Sequence, residues 1–225
     1  MKILKTYTIV LLALISFGSC GPDAVEEVEF SDLFQNVADN VIVPRYSNFD
    51  NALSDLNSEL NNFDPAELSS LEALQQKFIA VYLSWQTVSA FEFGPAGETS
   101  ALLRSNINTF PTNYSKIESN IQSNDYNLDA ASNYSAKGLP ALDYILFHAS
   151  QDELLLELAN ASRVNYMKDC VADMKSRVDY VVNAWDAYRN VFVGSEGNDQ
   201  NSSLSLFFNY FLYATEAVKN IRMVD

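Results

Sequence analysis

The chain has 225 residues, with 14 Lys and Arg against 29 Asp and Glu and a formal charge of −15. So acidic a chain repels phosphate backbones and anionic membrane surfaces, which excludes nucleic acid as a partner. Two cysteines and a single histidine leave too few residues for a disulfide framework or a histidine-rich metal centre.

Residues 1–19 read as a lipoprotein signal peptide. Lys2 and Lys5 supply a positive start, and Thr8 to Ile15 forms an apolar run too short to span a membrane. Gly18 and Ser19 then lead into Cys20, where cleavage and lipidation of the sulfur are expected, although Phe17 stands where such signals usually carry Leu. Several acyl chains on Cys20 would give a stable anchor, where one chain binds only marginally. Gly21 follows the cysteine rather than Asp, so the expected location is the outer membrane, facing the periplasm or the cell surface. Without the leader, 12 basic residues face 29 acidic ones, a net charge near −17, and Cys170 is the one remaining thiol. It lies in a helical pattern and is expected as a small buried apolar group.

Residues 20–30 form a polar tether, and 31–225 suffice for one domain with a substantial core. Four stretches carry helical periodicity. The first runs from about Ser31 to Phe63, with Phe49, Leu53, Leu56, Leu60 and Phe63 on one stripe and a kink or break expected at Pro44. The second follows Asp64-Pro65, read as cap and first turn, and carries Leu71, Leu74, Phe78, Val81, Trp85 and Val88. The third runs from about Ser162 to Phe192 and carries Val164, Met167, Val171, Met174, Val178, Val181, Trp185 and Tyr188. The fourth runs from about Ser202 to Met223 and carries Leu204, Phe208, Phe211, Thr215 and Val218. The expected fold class is all-α: a bundle of four long helices.

Between the second and third helices lie about 70 less regular residues, too many for an idle loop and expected to fold into short helices. They contain Phe91-Glu92-Phe93-Gly94-Pro95, then Arg104-Ser105-Asn106-Ile107-Asn108-Thr109-Phe110-Pro111, then Lys137-Gly138-Leu139-Pro140-Ala141-Leu142-Asp143 running on to His148. Gly138 permits a sharp bend, and Pro140 suits a first helical turn. Asp143 is then expected in the first turn, where the positive helix end favours a carboxylate. His148 lies about 500° round the helix from Asp143 and is expected to end that helix rather than join its face.

These three segments in this order, with Asn40-Val41-Ile42-Val43-Pro44-Arg45-Tyr46 before them and Tyr213-Ala214-Thr215-Glu216-Ala217 after, resemble the imelysin family. The resemblance implies an all-helical envelope protein of a family also filed as M75 peptidases and related to a periplasmic component of ferrous-iron uptake. The family's proposed metal motif, Gly-x-His-x-x-Glu, falls on Gly138, Pro140 and Asp143, so a proline replaces the histidine and a shorter acid the glutamate. Family members usually continue into a second helical half, so a C-terminally truncated member is expected. The binding residues carried over are Gly138, Pro140, Asp143, Glu92, Arg104 and Asn106, with Asp143, Glu92 and Glu216 as metal ligands. Iron or another divalent cation is the implied cofactor, and an outer-membrane iron-uptake receptor the implied protein partner. The function expected is therefore a lipid-anchored envelope binding protein, associated with iron acquisition, with a degenerate motif. One alternative is a metal-free recognition module, with Trp85, Phe91, Phe93, Phe110 and Tyr144 lining a pocket and Arg104 gripping an anionic group. The other is an M75-type peptidase, disfavoured because a zinc hydrolase takes about three protein ligands.

Overall fold

A computed structural model describes residues 30–197 and 199–219. The expected signal peptide, Cys20 and nearly all of the expected tether lie outside the described residues, as does the expected end of the last helix at Met223. The described residues are helical with no strand among them, in agreement with the all-α expectation.

Helix α1 (Ser31–Val37) passes through a π-helical turn (Ala38–Ile42) into α2 (Val43–Asn61). Pro44 therefore does not break the chain. Ile42 and Val43 keep right-handed helical angles, and the proline sits in the first turn of α2. The widened turn just before it interrupts the regular ladder, so the N–H that proline lacks is not missed from an otherwise intact helix.

Helix α3 (Leu68–Val88) begins later than Asp64-Pro65 suggested. Asp64 turns its carboxylate onto the Ala66 N–H at 2.9 Å, closing a local turn. Glu67 is the residue that precedes the helix, with no side-chain cap. The long helix near the C-terminal end, α8, spans Ala161–Gly194 with Asn160 capping the Ser162 N–H. Most of the predicted stripes of α2, α3 and α8 is buried, with Trp85 2% and Trp185 1% exposed, but Phe63 lies past the end of α2 and is half-buried, as are Val164 and Tyr188 of α8.

The intervening segment folds into α4 (Leu103–Ile107), α5 (Tyr114–Ser123), α6 (Gly138–Phe147) and α7 (Gln151–Leu158), with 3₁₀ turns at Gly94–Gly97 and Ala131–Ala136. Its packing revises the expected bundle. α2 packs against α3 and α8, and the place between α3 and α8 is taken by α6. Gln75 of α3 clamps this arrangement by donating to the Leu146 carbonyl of α6 at 2.7 Å. The fourth wall is thus the ten-residue motif helix, not the long C-terminal one.

Helix α9 (Ser203–Ala217) lies only lightly on the rest. Its inward residues are Phe207, stacked on Phe91, and Tyr210, edge-on to Phe93. The predicted stripe points outward instead: Phe208 is 55% and Phe211 53% exposed. The helix is apolar nearly all round, so spacing alone could not choose its buried face.

Candidate functional site

The motif helix starts at a backbone contact only glycine allows. Gly138 has φ +70°, and a Cβ there would lie 2.3 Å from the Ile107 carbonyl oxygen and 2.8 Å from that of Asn106. The end of α4 and the start of α6 are therefore pressed together through Gly138. Just before it, the enclosed Lys137 ammonium reaches the Leu128 carbonyl at 2.6 Å and Asp173 at 2.8 Å. Gly138 and Lys137 fix where α6 begins and how it faces α3.

That placement opens a groove of about 460 Å³. One wall is the outer face of α3, with Phe78, Ile79, Tyr82 and Leu83. Pro140, Asp143 and Phe147 of α6 form another. Asn108, Phe110 and Thr112 close one end with Tyr114 at the head of α5. The phenyl rings of Phe78 and Phe147 meet at 5.6 Å between α3 and α6. Pro140 and Asp143 are thus placed together on the groove wall, whereas Gly138 is buried behind it.

Asp143 does not occupy the first turn of α6, which begins at Gly138 and has no acid there. Its carboxyl lies in the second turn, beyond the reach of the helix-end field. Although the residue is open at the groove mouth, the apolar walls desolvate its carboxyl and push its pKa up, with no charged neighbour contributing. It takes no hydrogen bond or ion pair from any described residue. His148 does end the helix: its ring lies 2.7 Å from the Tyr144 carbonyl through Nδ1 and near Glu157, away from the groove.

The other expected site residues lie elsewhere. Glu92 is 6% exposed and receives the Arg104 guanidinium at 2.5 Å. Arg104 in turn lies over the Tyr213 ring at 3.8 Å and the Tyr210 ring at 5.5 Å. This pair lines a separate small cavity of about 200 Å³. With its charge already met by Glu92, Arg104 has little left to grip an anion. Asn106 is buried and donates to the Ala101 and Leu102 carbonyls, a local structural role. Glu216 is exposed near the end of α9 and lines neither cavity.

Asp143, Glu92 and Glu216 therefore do not converge, and among the described residues no three His, Cys, Asp or Glu side chains could share an ion. The chemistry agrees: Pro140 has no donor, and one partly desolvated carboxylate against five aromatic rings is a poor set for a hard cation. The residues at the motif do not fit the family's metal. Of the aromatics expected to line a pocket, Trp85, Phe91 and Phe93 belong to the core, and Tyr144 packs at a tilt between Tyr114 and His148. Only Phe110 lines the groove. Sequence reasoning missed Ile79, Tyr82, Leu83 and Phe147, though a signal existed: Ile79 and Leu83 are large apolar residues off the buried stripe of their helix.

An all-helical bundle whose shortest wall carries a motif facing an open aromatic groove defines the class of domain. Within it the assignment is specific: the model of the imelysin family, described as Peptidase M75, matches residues 42–224, and the chain belongs to that family. Its fold is similar to the crystal structure of an imelysin-like protein from Psychrobacter arcticum 273-4, with TM-score 0.67 at 17% identity over 84% of this chain. The chain spans 60% of that protein's length. No curated protein matches the sequence.

Proposed function

We propose that this chain is a binding protein of the bacterial envelope, not a hydrolase, anchored by lipid at Cys20 and serving an iron-acquisition system beside an outer-membrane receptor. One observation carries the binding reading: Pro140 and Asp143, at the family's ligand positions, line an aromatic groove with neither histidine nor a second carboxylate among its described residues. Hydrolysis through a zinc-bound water would take about three protein ligands around an open position, and this groove offers one. The leader pattern ending at Cys20 supports the anchor, and family membership supports the link to iron.

The test is calorimetric titration of the protein lacking residues 1–20 with ferrous iron, zinc and manganese. The natural protein should give no saturable heat that depends on Asp143. A Pro140→His, Asp143→Glu variant should gain one, because its two donors would stand about one turn apart on one helix face. Tight iron binding by the natural protein, lost in Asp143→Asn, would overturn the reading. The iron link has its own readout: the protein's abundance in its native host should rise on iron chelation, and a flat response removes that link.

A further inference from the structure

Resting on that binding reading and extending it, we propose that the groove beside α6 takes a small organic ammonium ion, a positively charged amine on an apolar body, with Asp143 as its counter-charge. Three features of the groove select this class. The first is charge. Among the described residues Asp143 is the only carboxylate in the lining, Tyr82 and Tyr114 are the only other ionisable residues there, and no Lys, Arg or His lines it. Several carboxylates set into the protein elsewhere are paired: Asp173 with Lys137 and Arg177, Glu92 with Arg104, Asp50 with Lys175. Asp143, exposed at the groove mouth, has no such partner among the described residues, and its apolar surroundings push its pKa up by desolvation alone. A ligand's positive charge would supply what the protein withholds.

The second feature is the walls. Phe110, Tyr114 and Phe147 are 48%, 55% and 40% exposed, with Phe78 and Tyr82 behind them. Ring faces around a carboxylate attract an alkylated ammonium, whose hydrocarbon packs on the rings while its charge meets their π-electrons. A hard divalent ion would find a single carboxylate there, where it takes six or more oxygen ligands. The third is size: about 460 Å³ lies within the ordinary range for small-molecule sites.

The experiment uses the protein lacking residues 1–20 and three probes: phenethylammonium, benzyltrimethylammonium and cyclohexylammonium. 2-Phenylethanol is the neutral control of matching shape. Ligand-detected NMR and calorimetry should show saturable binding of at least one amine, roughly tenfold or more tighter than the alcohol. Asp143→Asn should reduce that amine to the level of the alcohol, while Phe110→Ala should weaken both. Circular dichroism confirms that both variants fold. Equal binding of amine and alcohol, or an amine affinity indifferent to Asp143→Asn, would reduce the groove to an uncharged apolar cleft and overturn the proposal. So would failure of all three amines. If the amines fail and iron also fails, only this inference falls; if iron binds through Asp143, the function proposed above falls with it.

Discussion

Lys137 and Asp173 offer a test in which two partners of one ion pair should respond unequally. The Lys137 ammonium is fully enclosed, with a side-chain exposure of 0% against 12% for Asp173. Asp173 also receives Arg177 at 2.8 and 3.0 Å, so it has a second cation, whereas Lys137 has besides it the Leu128 carbonyl and, at 5.6 Å, the Tyr134 ring, neither of them a charge. Asp173→Ala would strand an enclosed cation and should cost about 3–5 kcal/mol. Lys137→Met would leave Asp173 paired with Arg177 and deprive only the Leu128 carbonyl of its donor, a loss of about 1–3 kcal/mol. Burial already lowers the pKa of Lys137 against the opposing pull of Asp173, which marks its charge as the costly member of the pair. Urea denaturation of both single variants and the double variant measures this, with unchanged slopes confirming that the denatured state is comparable. The double variant should cost less than the two single losses together, because removing Asp173 no longer strands anything. If Lys137→Met is as damaging as Asp173→Ala, the asymmetry argument is wrong.

Three further outcomes follow from single positions. Gly138→Ala should destabilise by about 3 kcal/mol or more, since a methyl group meets the backbone of α4 while φ stays positive; an unchanged thermal midpoint would contradict the contact. Cys170 is 0% exposed, and burial pushes its thiol up to about 12, so iodoacetamide should label it only in denaturant. Labelling of the native protein at the rate of a free thiol would mean that α8 opens locally. Cys20→Ser should move the protein from the membrane to the soluble fraction, and a variant that stays in the membrane places the anchor elsewhere.

The three helices α2, α3 and α8 were legible because each carries a long apolar stripe at helical spacing, so period and burial largely coincide. Helix α9 was legible as a helix but not in its facing: Phe207 and Tyr210 are as apolar as Phe208 and Phe211, and the choice was made by Phe91 and Phe93, far away in sequence. The start of α6 was announced by Gly138 and Pro140, but not its place in the bundle, which depends on Gln75 reaching Leu146 and on Lys137 reaching Asp173. The groove was half visible. Asp143 and Pro140 stood out through the motif, while its opposite wall came from Phe78, which the stripe had assigned to the core, and from Ile79 and Leu83, which no stripe claimed. A side chain that serves core and groove at once cannot be sorted by periodicity.

Asp143 itself carries a prediction whose sign separates a scaffold acid from a site acid. Its folded-state pKa is raised by desolvation above the ordinary carboxylate value, so between the two the folded chain holds more protons than the unfolded one. Stability then falls as pH rises through this window, and the ionised carboxylate is a net cost at all higher pH. Asp143→Asn removes that cost. The variant should therefore match the natural protein in acid below the unfolded value and become slightly more stable as pH rises towards neutral. Screening at the open groove mouth keeps the gain within about 0.5 kcal/mol. Urea midpoints for the two proteins across a pH series would show the curves diverging in this direction. A variant less stable than the natural protein at neutral pH would mean that the carboxylate already has a favourable partner, and the case for a ligand's positive charge would fail with it. If the ammonium proposal holds, a saturating organic amine should reverse the order. The bound cation lowers the carboxyl's pKa in the folded state, so the natural protein, and not the asparagine variant, becomes the more stable of the two as pH rises.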